Sequence, residues 1–134
     1  MNSMSIEFPS IIDNIRIVES FIDNAKQKLN FNDDIYGNVM VSVTESVNNA
    51  IIHGNKSDRD KKVNLSLDYD NSQLKFKVKD QGGGFDYSEI PDPTNPENLE
   101  KSSGRGIFLM RHLCDEVNFS DNGNEVEMVF YFDA

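Results

Sequence analysis

The sequence predicts an α+β fold: a two-layer sandwich in which a mixed, mostly antiparallel sheet has helices on one face. Three observations support this prediction. Two early segments repeat apolar residues at helical spacing, later segments alternate apolar and polar residues with a period of two, and short turns join those strands in pairs. Strand hairpins with helices inserted between them are typical of such sandwiches.

The first predicted elements are a short edge strand and a helix. Residues 5–8 fit a strand that Pro9 ends. Apolar residues then recur at alternating spacings of four and three from Ile11 to Leu29, which indicates one helix face. Ser10 and Asp13 are the expected capping pair of this helix.

A second helix is expected to begin at Asn32 or Asp33. It runs to about His53, and Gly54 is its predicted stop. The residues expected to face the core from this helix share helical spacing and are Ile35, Val39, Val43, Val47 and Ala50.

Two hairpins complete the predicted sheet. A loop-like segment over residues 81–103 and a short helix over 106–113 lie between the two hairpins. The element order is therefore β-α-α-β-β-loop-α-β-β. The four hairpin strands are predicted at residues 63–69, 74–78, 117–119 and 126–132.

Length and charge limit the possible functions. The 134 residues fit a single domain over residues 1–134, and 13 Lys+Arg against 23 Asp+Glu give a formal net charge of −10. This acidity argues against direct nucleic-acid binding and against an anionic membrane surface, since both need clustered basic residues. Cys114 is the one cysteine, and the N-terminus lacks a signal-peptide pattern, so we expect a cytoplasmic protein.

The second predicted helix carries the first candidate site. Glu45 and Asn49 are four residues apart and so share a helix face with Val41 and Ile52, away from the core stripe. A carboxylate beside an amide oxygen suits a general base next to a hard cation. The same pattern also fits a partly exposed Glu–Asn pair with no special role.

The second candidate site follows a predicted strand. Asp80 is in phase with the inward-facing residues of that strand, and three glycines, Gly82–Gly84, come directly after it. Glycines allow backbone to approach a ligand closely or to adopt positive φ. The segment fits either a pocket with a buried acid or a flexible turn.

The third candidate site is Gly104-Arg105-Gly106, which opens the short helix. Amides at a helix N-terminus bind anions, and an arginine adds a two-pronged phosphate donor. The segment has neither the Gly-Lys-Ser/Thr of a Walker A loop nor a strand directly before it, as a Rossmann fingerprint requires. A simple helix start after a loop is the other interpretation.

In order and spacing, the three motifs together resemble the anti-sigma factor serine/threonine kinases, a branch of the GHKL (histidine-kinase-like) ATPase superfamily. Glu45-x-x-x-Asn49-Ala-x-x-His-Gly-Asn resembles the N-box of that superfamily. Asp80-x-Gly82-x-Gly84 resembles the G1 box, and Gly104-Arg-Gly-Ile-x-Leu-Met resembles the G2 box. The resemblance covers roughly residues 5–132 and implies the Bergerat ATP-binding fold, which agrees with the predicted sandwich.

The resemblance also implies a role for each motif in binding ATP and Mg²⁺. Asp80 is expected to bind the adenine amino group, Asn49 to hold Mg²⁺, and residues 86–103 to form the ATP lid. The residues implied to lie against the nucleotide are Gly82, Gly84, Gly104, Arg105 and Gly106.

The resemblance further implies an activity and partners. Glu45 is expected to be the general base for a serine or threonine hydroxyl of a STAS-domain anti-anti-sigma protein. A sigma factor is the second implied partner, and a homodimer is the usual assembly. The alternative is a non-catalytic, ATP-gated binding module that sequesters a regulatory partner. Glu45 distinguishes the two, because a module that only binds needs no base.

Overall fold

The computed structural model describes residues 2–82, 110–120 and 124–132. It contains one five-stranded sheet with two helices, α1 (Ile15–Leu29) and α2 (Asp33–Asn49). The strand order is β1-β2-β3-β5-β4, and each of the four strand pairings is antiparallel. The strands are β1 (Asn2–Pro9), β2 (Lys62–Tyr69), β3 (Gln73–Lys79), β4 (Glu116–Phe119) and β5 (Glu125–Tyr131).

Helix α1 begins later than predicted, and its predicted cap is wrong. A 3₁₀ turn occupies Ile12–Asn14, and Asn14 at the N-cap position makes no side-chain capping bond. Ser10 is buried instead, and its hydroxyl donates to the carbonyl oxygen of Lys61 at 2.6 Å. A local capping motif thus gives way to a contact between residues 51 positions apart in sequence.

Helix α2 has a well-formed N-terminus. The Asn32 side chain accepts a hydrogen bond from the Ile35 amide at 2.8 Å, and Asp33 and Asp34 place negative charge in the first turn. The predicted core stripe is confirmed: Val39, Val43, Val47 and Ala50 are buried, and Ile35 packs against the core while partly exposed. A π-helical turn, Ala50–Gly54, continues α2 beyond Asn49.

The two faces of the sheet differ in polarity. Alternate residues of β2 and β3 are buried, and α2 packs against β3 and β5. The residues between them face the other side and are polar, with Lys75, Lys77 and Lys79 along β3. The predicted α+β sandwich with its largely antiparallel sheet is confirmed.

Some predicted elements lie partly or wholly outside the described residues. Residues 110–113 are helical, as expected for the end of the short helix, and Met110 is fully buried. The predicted lid over 86–103 is not among the described residues. Over residues 2–82, 110–120 and 124–132, no helix has the length and apolarity needed to cross a membrane.

The difference in burial between Phe76 and Ile17 predicts different losses of stability when each is replaced by alanine. Phe76 is fully buried on β3 and packs edge-to-face on Phe130, with ring centroids 6.1 Å apart. We expect Phe76→Ala to lower the free energy of unfolding by about 3–5 kcal/mol. Ile17→Ala, at a side chain 43% exposed on α1, should cost far less. Urea unfolding measures both, and equal losses would contradict the placement of the core.

Candidate functional site

The end of α2 and the end of β3 meet in a close backbone contact. A Cβ added at Gly54 would lie 2.2 Å from Oδ2 and 2.4 Å from Cγ of Asp80, so Gly54 lies directly against the Asp80 carboxylate. Gly54 has no φ in the left-handed region. A helix stop was therefore an incomplete interpretation of this glycine, because its missing side chain makes room for the acid.

Gly82 completes the same contact from the other side. A Cβ at Gly82 would lie 1.8 Å from the Gly54 carbonyl oxygen, so no side chain fits there either. The Gly82 amide donates to Oδ1 of Asp80 at 2.8 Å. Gly54, Asp80 and Gly82 therefore form one packed unit, which we call the acid clasp.

Asp80 faces inward, as its phase in the strand predicted. It is 4% exposed, and this burial raises the pKa of its carboxyl group. The hydrogen bond from Gly82 and the positive charge of Lys61 oppose that rise but do not cancel it. A buried carboxylate has lost most of its water and is suited to accept a hydrogen bond from a neutral donor such as an amino group.

Glu45 and Asn49 lie one helical turn apart on α2, as predicted. Glu45 is partly exposed, and with the described residues its carboxylate makes no hydrogen bond or ion pair. Val41 and Ile52, expected on the same face, are 41% and 44% exposed, so the two ends of this face point away from the core. The face thus combines an unengaged acid with exposed apolar side chains.

Asn49 is 6% exposed, and its amide nitrogen lacks a partner among the described residues. The Nδ2 atom is buried and has no hydrogen-bond acceptor within those ranges. Buried amide groups are normally hydrogen-bonded, so this nitrogen is unusual. The nitrogen cannot bind a cation, but the amide oxygen of Asn49 is a hard donor of the kind that Mg²⁺ prefers, and Mg²⁺ needs only one or two protein oxygens when phosphates and water supply the rest.

The described residues contain no cluster of His, Cys, Asp and Glu side chains that would suit a metal ion better. Among them, no group of three or more His, Cys, Asp and Glu side chains could hold an ion.

Cys114 is buried next to Ser42, and burial raises the pKa of its thiol to about 11. The thiol therefore stays protonated at neutral pH, as is typical of a cysteine buried in apolar surroundings.

Asn55 is a site component to which the sequence analysis gave no role. Its side chain is 1% exposed and fully used: Nδ2 donates to Ser10 Oγ at 2.7 Å and to the Lys62 carbonyl oxygen at 3.0 Å. Its Oδ1 accepts from the backbone amide of Gln81 at 2.8 Å. The available sequence signal was an amide residue placed directly after the glycine that ends a motif-bearing helix.

The third motif lies outside the described residues. Gly104, Arg105 and Gly106 remain predicted phosphate contacts. Gly84 of the second motif is also outside the described residues and remains a predicted point of close approach between the backbone and the nucleotide. The structure thus brings together Asp80, Gly82 and the end of the helix that carries Glu45 and Asn49.

Comparison with known proteins finds similar domains. A family model described as the histidine kinase-like ATPase domain matches residues 8–130. The serine-protein kinase RsbW of Staphylococcus epidermidis is 30% identical over 99 residues, 68% of this chain and 62% of that protein. The match therefore spans less than two thirds of that relative.

Two further similarities extend over almost the whole chain. The anti-sigma F factor of Clostridium beijerinckii is 30% identical over 132 residues, which are 96% of this chain and 92% of that protein. The crystal structure of the RsbU and RsbW domains of a Mycobacterium tuberculosis protein aligns with a TM-score of 0.68 at 12% identity. It covers 99% of this chain and 32% of that chain, and at this identity it shows the fold alone.

The acid clasp predicts opposite effects for two glycines of the same helical region. Gly54→Ala forces a methyl group into the Asp80 carboxylate, so we expect it to lower the free energy of unfolding by about 1–3 kcal/mol. Gly37→Ala is the control: nothing lies within 4 Å of its added Cβ in α2, and it should stabilise by about 0.5–1 kcal/mol. Urea unfolding of both variants measures the difference. A Gly54→Ala variant as stable as the wild type would show that the clasp is not close-packed.

The raised pKa of Asp80 predicts a pH dependence of stability. The folded state holds the Asp80 proton to a higher pH than the unfolded chain, whose carboxyl titrates near 3.8. The free energy of unfolding therefore falls as pH rises from that value through the raised pKa. Asp80→Asn removes this component, so the stability of the variant relative to wild type should rise as the pH increases from 3.8 through the raised pKa of Asp80. Denaturant unfolding across that range tests it, and a constant difference between the two proteins would contradict it.

Proposed function

The chain belongs to the histidine kinase-like ATPase domain family, in the branch of the anti-sigma factor serine kinases, and from this we propose that it is an ATP-dependent protein serine/threonine kinase acting as an anti-sigma factor. The observation that carries the proposal is the acid clasp, which joins a buried adenine-binding acid to the end of the helix bearing Glu45 and Asn49. Relatives named serine-protein kinase and anti-sigma F factor support it.

We assign the nucleotide to the space between α2 and the segment that follows β3. Asp80 accepts a hydrogen bond from the adenine amino group, which a buried carboxylate can do without losing water at the moment of binding. Asn49 supplies its amide oxygen to Mg²⁺, which neutralises phosphate charge. We assign the points of close approach between backbone and nucleotide to Gly82 and Gly84, and the ATP lid to residues 86–103.

We assign the phosphates to the third motif. Gly104, Arg105 and Gly106 suit this role by residue type, since glycines allow a phosphate to come near backbone amides and an arginine adds a positive charge. These local groups bind an anion despite the net charge of −10, because charges on the rest of the surface are screened beyond about 8 Å at physiological salt.

We assign the general base to Glu45. Its carboxylate takes the proton of a serine or threonine hydroxyl, whose oxygen forms a bond to the γ-phosphorus. The bond between that phosphorus and the β–γ bridging oxygen breaks, and ADP leaves. Glu45 suits this role because it is partly exposed, unengaged by the described residues and one turn from Asn49.

The acceptor and the partners follow from the same branch of the family. We propose a STAS-domain anti-anti-sigma protein as the acceptor and a sigma factor as the sequestered partner, with the kinase acting as a cytoplasmic homodimer formed by its single domain, residues 1–134. The acidic chain suits partners whose contacting faces are basic.

A second candidate is a non-catalytic, ATP-gated binding module that sequesters a regulatory partner. The exposure of Val41 and Ile52 beside Glu45 favours it, since apolar side chains around the acid suit protein docking whether or not transfer follows. Removing the base distinguishes the two candidates.

A transfer assay tests the proposed kinase. The protein is incubated with γ-labelled ATP, Mg²⁺ and STAS-domain proteins from the same organism, and label is located on the partner. We expect wild type to label a serine or threonine. Glu45→Gln should slow transfer by about 10²–10⁴-fold while retaining ATP binding.

Two controls separate the outcomes. Asp80→Asn should lose ATP binding and transfer together, whereas Ile17→Ala, a surface change on α1, should match wild type. ATP binding without transfer to any STAS-domain protein would favour the binding module. Absence of adenine nucleotide binding in the wild type would reject both candidates.

A further inference from the structure

We infer that Asn55 is a positioning residue that fixes Asp80 for adenine selection, an inference that rests on the proposed nucleotide site. The Asn55 side chain is hydrogen-bonded to three other chain segments, at Ser10, Lys62 and Gln81. It therefore acts through the backbone that carries Asp80 and not through contact with the nucleotide.

The Asn55 side chain is 1% exposed, and both its nitrogen and its oxygen are hydrogen-bonded. The Nδ2 atom of Asn55 donates two hydrogen bonds, one to Ser10 Oγ just after β1 and one to the Lys62 carbonyl oxygen at the start of β2. Ser10 is held in turn by donating to the Lys61 carbonyl oxygen. The amide group therefore has one orientation, with its oxygen aimed at Gln81.

That oxygen fixes the peptide bond next to Asp80. The Gln81 amide, which donates to Asn55, is bonded directly to the Asp80 carbonyl carbon. On the other side, the Asp80 amide donates to the Asn124 carbonyl oxygen at 2.9 Å. With both flanking amides held, the direction of the Asp80 side chain is determined by contacts that do not involve the ligand.

A second hydrogen bond holds Gln81 to the start of β2 independently of Asn55. The Lys62 amide donates to the Gln81 side-chain oxygen at 2.6 Å, so Gln81 is bound to β2 through its side chain and to Asn55 through its backbone. Loss of the Asn55 side chain removes the hydrogen bond from the Gln81 backbone amide and leaves the hydrogen bond between the Gln81 side chain and the Lys62 amide. We therefore expect the turn after Asp80 to rotate rather than to unfold.

Base selectivity separates positioning from plain structural support. ATP and inosine triphosphate carry the same triphosphate, but inosine has an oxygen where adenine has the amino group that Asp80 binds. A variant that is only less stable should lose affinity for both nucleotides equally. A variant with a misdirected Asp80 should lose affinity for ATP and little for inosine triphosphate.

The experiment measures the dissociation constants of both nucleotides by calorimetry on the full chain. We define the preference for ATP as the dissociation constant of inosine triphosphate divided by that of ATP. Asn55→Ala should reduce this ratio by about tenfold, since it deletes the hydrogen bond to Gln81 and both hydrogen bonds that orient the amide. Ser10→Ala keeps the bond to Gln81 and should reduce the preference by about two- to threefold. Ser10→Ala carries the test if Asn55→Ala fails to fold, as judged by circular dichroism.

A destabilised core variant serves as the matched control. Val39 is fully buried in α2 about 15 Å along the helix from Asn49, and Val39→Ala lowers stability without touching the clasp. It should keep the wild-type preference for ATP.

The outcomes separate this inference from the proposed function. If folded Asn55→Ala and Ser10→Ala keep the wild-type preference while Asp80→Asn loses it, the positioning role is overturned and the nucleotide site stands. If the wild type binds neither nucleotide, the proposed function itself is overturned, and the role of Asn55 falls with it.

Discussion

The contact between Gly54 and the Asp80 carboxylate determines the arrangement of the candidate site. The two residues come from different layers, the end of the α2 region and the end of β3, and Gly54 leaves no space for a side chain. Gly82 closes the contact and donates a hydrogen bond to the acid. Because the helix that carries Glu45 and Asn49 ends against this acid, Glu45, Asn49 and Asp80 have a fixed relative placement, as the roles proposed for them require.

The site keeps polar groups that a fold selected for stability alone would avoid. Asp80 is buried at a cost that shows as a raised pKa, and the Asn49 amide nitrogen is buried without an acceptor in the described parts of the chain. Buried groups of this kind normally destabilise the folded state. Here the core stripe of Val39, Val43 and Val47 on the same helix supplies offsetting apolar burial.

Helix α2 therefore has two faces with different tasks. Its fully buried valines attach the helix to β3 and β5, and the opposite side leaves Val41, Glu45 and Ile52 accessible. A rigid scaffold with one accessible acid suits transfer to a second macromolecule, since the acceptor must approach from outside. The π-helical turn after Asn49 then redirects the chain so that Gly54 reaches Asp80.

The sequence alone determined the elements of the fold and most of the described site residues, because these depend on local periodicity and spacing. The helical stripes, the alternating strands and the inward phase of Asp80 were all readable. The tertiary structure decided what Ser10, Gly54 and Asn55 do, since each acts through a partner distant in sequence. Ser10 fits a helix cap locally but is bonded to Lys61 and Asn55, and Gly54 fits a helix stop but makes room for Asp80. Periodicity reports which side a residue faces, whereas contacts between layers depend on how those layers pack.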